Sequence, residues 1–362
     1  MAKIVLGLGT SHGPMLSTPP DQWIQRATFD RTVEHPWQGR MWRFDELVAA
    51  RQDGHFERQI TPELWRSRHA ACRAALAKLA AIFAAAAPDL VVIAGNDHME
   101  MFNESAVPAF SVFWGDELIN NPWSPEREAK AAIGTLVAVP GHVPPGGARY
   151  PCVPALGRHL IESLIAAGFD IAAMKRLPGE ETPHAYGFVY RQIMGDKPIP
   201  CVPLALNTYY PPNQPTIRRC YDFGKALARA IEAWPSDARI AVIASGGLSH
   251  FVIDESVDQT FIAAMKTRRI DALAGLGEDT FQSGTSEIKN WVPVAGAMAE
   301  LGFEFNLVDY VPCYRSIAGT GNAMGFVHWQ PAAGRQRCFV VPAKAGTQGN
   351  GSLRPGFPLA RE

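Results

Sequence analysis

His12, His98 and His250 share one setting, and it is a setting for chemistry. Each follows a short apolar run that ends in small or polar residues. Residues 4–9 lead into Thr10-Ser11-His12, residues 90–95 into Asn96-Asp97-His98, and residues 240–244 into Ser245-Gly246-Gly247-Leu248-Ser249-His250. Runs rich in Val, Ile and Leu and bounded by Gly and Ser read as buried strands of a helix-covered sheet. Parallel neighbours bring their carboxyl ends to one edge, where such sheets place ligands. Three imidazoles would then converge from distant parts of the chain, as metal binding or proton transfer requires.

A carboxylate would complete a two-His, one-carboxylate metal site with open positions on one face. Glu287, after Ser283-Gly284-Thr285-Ser286, is one candidate, although an acid at a helix start also complements the helix dipole. Spacing alone does not separate Glu287 from Asp97, Glu100 or Glu181. Asp97 has two readings of its own, an acceptor for the neighbouring imidazole or a turn Asp capping backbone groups. The glycines before His250 let the backbone approach whatever fills the site. His184, in the polar loop Glu181-Thr182-Pro183-His184-Ala185-Tyr186-Gly187, is a further acid–base candidate, though read alone it is a surface loop residue. Gly7-Leu8-Gly9 and Gly319-Thr320-Gly321 match only the start of a dinucleotide fingerprint, and no nucleophile elbow or Walker sequence is present.

The elements that must position these residues alternate between strand and helix. Strands are expected at 3–9, 90–95, 107–114, 169–174, 199–206 and 240–244, with a last apolar segment at 322–329. Helices are expected at about 62–86, 155–167, 215–233, 255–274 and 290–301, and the Pro- and Gly-dense stretch 140–154 is expected to be loop. This alternation predicts a layered α/β/α fold with a central mixed, largely parallel sheet. Residues 14–62, rich in Trp, Arg, His and Pro, read as an irregular stretch of the length used for lids. Composition changes at Pro331, so a catalytic domain over 1–330 and a weakly ordered tail over 331–362 are expected.

The 362 residues carry a formal net charge of -1, and no basic field or Lys/Arg block exists to attract nucleic acid. Six scattered cysteines without a C-x-x-C pair fit reduced thiols in a cytoplasmic protein. The apolar stretch near 70–87 is interrupted by Arg73 and Lys78 and reads as too short for a membrane span. A soluble cytoplasmic protein is expected, and its large helical surfaces favour a homodimer.

Taken together, the chain resembles the class III extradiol ring-cleavage dioxygenases, the family of the protocatechuate 4,5-dioxygenase catalytic subunit. The resemblance rests on Thr10-Ser11-His12-Gly13-Pro14, Asn96-Asp97-His98, Gly246-Gly247-Leu248-Ser249-His250 and Ser283-Gly284-Thr285-Ser286-Glu287, in the family's order over residues 1 to about 330. The long segment between the first two histidines makes it most similar to the single-chain gallate and methylgallate type. The resemblance implies that His12, His98 and Glu287 bind a non-haem Fe(II). It also implies that His250 and His184 handle protons, and that Thr320 and Asn322 contact the substrate's carboxylate. The family's His-Gly pair reads His184-Ala185 here. The implied substrates are O2 and a small aromatic diol: gallate, methylgallate, protocatechuate, another such acid or a dihydroxypyridine. A small partner subunit stays open, with 14–62 as an alternative lid. Two other classes compete: a non-catalytic metal- or peptide-binding protein on the same scaffold, and a zinc-dependent hydrolase, because His/His/Glu also suits zinc.

Overall fold

Alternation with a period of two runs through the central strands, and both of its phases are apolar. Ile240, Val242 and Ala244 join one buried cluster, while Ala241 and Ile243 join the other. Val92 and Ala94 divide from Val91 and Ile93 in the same way. Strands that are apolar on both faces must be covered on both faces, so helices pack above and below. The structure, a computed structural model, describes residues 1–132 and 134–332. These residues fall in one unit, Met1–Ala332. The expected tail at 331–362 lies outside the described residues from 333 onward.

Among the described residues, nine strands form the main sheet. They are β1 (Lys3–Thr10), β2 (Leu90–Asn96), β3 (Phe110–Phe113), β4 (Ala172–Met174), β5 (Cys201–Leu206), β6 (Arg239–Ser245), β7 (His250–Val252), β8 (Glu304–Tyr314) and β9 (Thr320–Gln330). Their order is β7-β9-β1-β6-β2-β5-β3-β4, with β8 paired to β9 alone. The pairs β1–β6, β6–β2, β2–β5 and β3–β4 are parallel, and the flanking pairs are antiparallel. The fold is therefore the layered, mixed α/β architecture expected, with a parallel centre. On one side lie α2 (Pro154–Ala166), α3 (Ile217–Ala233), α4 (Glu255–Thr267) and α5 (Ile288–Leu301), and on the other lies α1 (Pro62–Ala86).

α1 begins at Thr61, whose hydroxyl accepts from the Leu64 N–H, with Pro62 at the first helical position. Trp65, Cys72, Leu76, Leu79 and Phe83 recur at helical spacing and are buried. At 25 residues α1 is long and apolar enough to cross a membrane, which corrects the expectation that this stretch is too short. Here the helix buries that one stripe in the core and leaves Arg66, Arg73 and Lys78 exposed.

Four other expectations change. Residues 14–62 are not irregular: they hold helices Trp23–Asp30 and Phe44–Ala50 and a hairpin of His35–Trp37 with Arg40–Trp42. The hairpin turns at Gln38 and Gly39, both at positive φ (49 and 76). The stretch 140–154 contains a strand, Ala148–Pro151, paired with Glu117–Asn120. The expected helix at 255–274 breaks at Arg268, which adopts a left-handed conformation before a short helix Ile270–Ala274. Finally, β8 had no expected counterpart. It carries Pro312, which an edge strand tolerates because its outer N–H groups need no partner.

Candidate metal centre

The carboxyl ends of β1, β6 and β2, neighbours in the sheet, deliver the three histidines. His12 lies two residues beyond β1, His98 two residues beyond β2, and His250 opens β7 after the glycine turn that leaves β6. Glu287 arrives from the opposite direction, at the end of the 3-10 turn Ser283–Glu287 and at the start of α5. The N-terminal end of that helix favours its negative charge.

His12 Nε2 stands 3.1 Å from Glu287 Oε2, and His98 Nε2 stands 3.0 Å from Glu287 Oε1. Hydrogen bonds elsewhere fix the His12 tautomer. The Ser245 hydroxyl spends its one hydrogen on the Ala185 carbonyl, at 2.6 Å. It must therefore accept from His12 Nδ1–H, at 2.9 Å. That leaves the lone pair of His12 Nε2 directed at a carboxylate oxygen. Burial pushes the His12 pKa down, against the pull of Glu287, so the neutral ring is favoured. Both Nε2 atoms are buried without a hydrogen-bond partner among the described residues. Two electron-rich groups in contact call for a cation between them. Donors about 2.1 Å from one ion and at right angles to each other lie about 3.0 Å apart, which is the spacing seen here. The donor set therefore fits a divalent metal. Among the described residues no three ligating side chains already enclose an empty metal cage; the imidazoles rest on the carboxylate itself.

Glu287 is held in place by the chain. Gly247 N–H donates to Oε2 at 2.6 Å and Asn96 Nδ2 donates to Oε1 at 3.3 Å, and Asn290 in turn donates to Asn96 Oδ1 at 2.8 Å. Burial pushes the Glu287 pKa up, but His12 and His250 hold it well below the usual range. Glycine is required at two positions here. A Cβ on Gly247 would lie 2.5 Å from His250 Nδ1, and one on Gly284 would lie 2.5 Å from His250 Cδ2.

Two further histidines flank this group. His250 Nδ1–H donates to the Leu248 carbonyl at 2.8 Å, which turns Nε2 towards Glu287 at 3.6 Å. Burial lowers the His250 pKa, and the Glu287 carboxylate more than restores it. His184 begins the short helix His184–Phe188 and is half-buried, not a free surface residue. Its Nδ1 donates to Glu100 Oε2 at 2.7 Å, and its backbone N–H reaches Glu100 Oε1 at 3.2 Å. Burial disfavours the charged ring, but Glu100 outweighs it and raises the His184 pKa to about 9. Burial likewise opposes the Glu100 anion, yet His184 and its neighbours hold that carboxyl at about 2.

The competing carboxylates are all engaged elsewhere. Asp97 accepts from the backbone N–H groups of Glu100, Met101 and Phe102, so it is a turn cap and not a support for the His98 ring. Glu100 holds His184, and Glu181 pairs with Arg127. Ala185, where the resemblance expects glycine, fits because Gly95 faces it: a Cβ on Gly95 would lie 2.9 Å from that of Ala185.

His12, His98, Glu287, His250 and His184 line one cavity of about 330 Å3, together with Asn322. Thr320 is elsewhere: its hydroxyl donates to Asp30 Oδ2 at 2.5 Å and meets Ser316, outside the cavity lining. The sequence reading passed over Arg26, Trp123, Arg127, His142 and Arg315, which also line the cavity. Burial, then the charge on His184, depress the His142 pKa to about 3. Only Pro140-Gly141-His142, a histidine after a turn, was visible as a signal for any of them.

Comparison with known proteins places these residues in a family. Residues 63–320 match the family model described as the catalytic LigB subunit of aromatic ring-opening dioxygenase; this span includes His98, His184, His250 and Glu287 but not His12 or Asn322. Gallate dioxygenase of Pseudomonas putida is 37% identical over 121 residues, 32% of this chain and 33% of that protein. The 2,3-dihydroxyphenylpropionate/2,3-dihydroxicinnamic acid 1,2-dioxygenase of Comamonas testosteroni is 25% identical over 166 residues, 45% of this chain and 44% of that protein. The chain thus matches less than half the length of either curated relative. An uncharacterized protein of Escherichia coli K12 superimposes with a TM-score of 0.44 at 16% identity, covering 70% of this chain and 91% of that one. On the strength of the matched span, the chain belongs to the family of the catalytic LigB subunit of aromatic ring-opening dioxygenase.

Proposed function

We propose that this protein opens the ring of a small aromatic diol with O2, using a non-haem Fe(II) held by His12, His98 and Glu287. The observation that carries the reading is the pair of buried, unbonded Nε2 atoms against Glu287 at the head of the cavity. Two imidazoles and one carboxylate leave one face of such an ion open. Held by His12, His98 and Glu287, an Fe(II) would supply the redox chemistry by which O2 opens an electron-rich diol ring.

The chain's own residues would supply positioning and protons. His250 presents Nε2 as an acceptor because Nδ1–H is committed to Leu248, so it takes a ring hydroxyl proton as the diol settles. A cation beside Glu287 would offset the pull that protonates this ring and favour its neutral, basic form. His184, kept charged near neutral pH by Glu100, is suited to return a proton to a departing oxygen. A cavity of about 330 Å3 suits a one-ring substrate, and Phe188, Ala138 and Trp123 keep part of its lining apolar.

The test is anaerobic loading with Fe(II), followed by oxygen-uptake measurements over a panel of catechols. Oxygen consumption that requires both iron and diol, with a coloured ring-opened product, is expected. Turnover with zinc in the absence of oxygen, or no oxygen uptake with any diol, would overturn the proposal.

A further inference from the structure

Successive residues of a strand point to opposite faces, yet His250 and Phe251, neighbours on β7, both line the active cavity. The backbone of Phe251 breaks the alternation. It sits at φ 64, in the left-handed region that a residue with a bulky side chain rarely adopts. Pairing with β9 on either side, His250 opposite Asn322 and Val252 opposite Thr320, holds it there. Its own partner is Gly321, which has no side chain to pack against the ring. Strain of this kind persists only where the surroundings impose it, and it gathers at sites that use it. Here it leaves the phenyl ring beside His250, with ring centroids 5.3 Å apart.

That ring stands between two spaces. Arg26, Arg315 and Phe251 line the active cavity and also a second cavity of about 470 Å3 beside it. The two arginines are anchored. Arg315 binds Asp30 through Nε and Nη2, each at 2.7 Å, and Arg26 donates Nη1 to the Gly134 carbonyl at 3.1 Å. Phe251 is the apolar part of this shared wall, and no hydrogen bond holds its ring. The second cavity is itself largely apolar. Phe29, Val33, Met41 and Pro211 line it, and the first three are exposed, so it reaches the surface. Such a lining suits an aromatic group.

We propose that Phe251 is the specificity-determining partition between the two cavities: its ring limits the substrate to a diol of one ring, and the second cavity is latent room for a second aromatic ring. This rests on the reading of the active cavity as the diol site.

The test is direct binding to protein loaded with Fe(II) and kept free of oxygen, so that affinity is read without turnover. The probes are catechol, 3-phenylcatechol and 4-phenylcatechol, which cover both directions a second ring can take. They are titrated into wild type, Phe251→Gly, Phe251→Asn and Phe251→Tyr. Wild type is expected to prefer catechol to either phenylcatechol by about tenfold or more. In Phe251→Gly the preference over at least one phenylcatechol should fall by about tenfold or more, as burial of the added phenyl group implies. Glycine also accepts the left-handed backbone without strain. Phe251→Tyr keeps the ring and should keep the wild-type preference. Thermal unfolding confirms that each variant is folded, and Phe251→Asn, which also tolerates positive φ, carries the test if Phe251→Gly is not. An unmoved preference in the folded small variant overturns the assignment. So does a wild type that binds a phenylcatechol as tightly as catechol, or a Phe251→Tyr that gains as much as Phe251→Gly. Oxygen uptake with catechol in wild type, combined with an unmoved preference, would leave the ring-opening reading intact and remove only the Phe251 assignment. No binding of any of the three diols by wild type would overturn the inference together with the reading of the cavity on which it rests.

Discussion

Five side chains around one cavity divide their work by what each is hydrogen-bonded to. His12 and Glu287 are held by neutral groups and face each other, whereas His250 and His184 each have Nδ1 tied, to the Leu248 carbonyl and to Glu100. Removing a ligand should therefore differ in kind from removing a proton carrier. Glu287→Ala is expected to lose bound iron, measured by metal analysis after anaerobic loading. His250→Ala should keep its iron and lose about 100- to 10,000-fold in turnover, the usual contribution of a general base. Ser245 is a further residue to probe, because it fixes the His12 tautomer without touching the cavity. Ser245→Ala should weaken metal affinity by about 10- to 100-fold at unchanged stoichiometry, measured by competition with a chelator.

At the scale of the element, the parallel strands explain both what the sequence revealed and what it hid. β1, β6 and β2 were readable because each is a short run rich in Val, Ile, Leu, Ala and Gly, apolar on both phases, and each leads through a small or polar turn to a histidine. Ile243 on β6 packs in the cluster under α1 and is fully buried. Ile243→Ala should cost about 2–5 kcal/mol in denaturant unfolding, through lost burial and the cavity left behind. The hairpin at His35–Trp42 was hidden because Gln38-Gly39 turns it, not the Asn-Gly that marks such turns. β8 was hidden by Pro312 and by Asn306 and Asp309, which interrupt its apolar pattern. The site followed the same rule. Residues at the ends of the expected strands were legible, but Arg26 and Trp123 come from segments outside the main sheet, and Arg315 follows β8, a strand that the sequence did not reveal. Only the folded chain shows that Thr320 serves Asp30 and that Asp97 serves its own turn.

For the molecule as a whole, Asp258 links the site to the stability of the fold. From α4 it accepts from the Ser249 N–H and hydroxyl, next to His250, and from the Tyr310 hydroxyl on β8. Burial, against those hydrogen bonds, raises its pKa from 3.8 to about 6. Between these values the folded chain holds the proton more tightly than the unfolded chain does. The stabilisation from Asp258 is thus fully present below about pH 4 and is lost as pH rises through 6. Stability measured against pH should show this fall in wild type relative to Asp258→Asn, in which the slope contributed by this group is absent; parallel profiles would contradict the assignment.

The central claim, that His12, His98 and Glu287 surround a single ferrous ion, is tested most directly by anomalous diffraction at the iron edge from crystals loaded without oxygen. One iron peak within bonding distance of His12 Nε2, His98 Nε2 and a Glu287 oxygen, beside the cavity that holds His250 and His184, is the expected result. Iron bound elsewhere, or a loaded crystal in which both imidazoles still rest against the carboxylate with no metal between them, would contradict it.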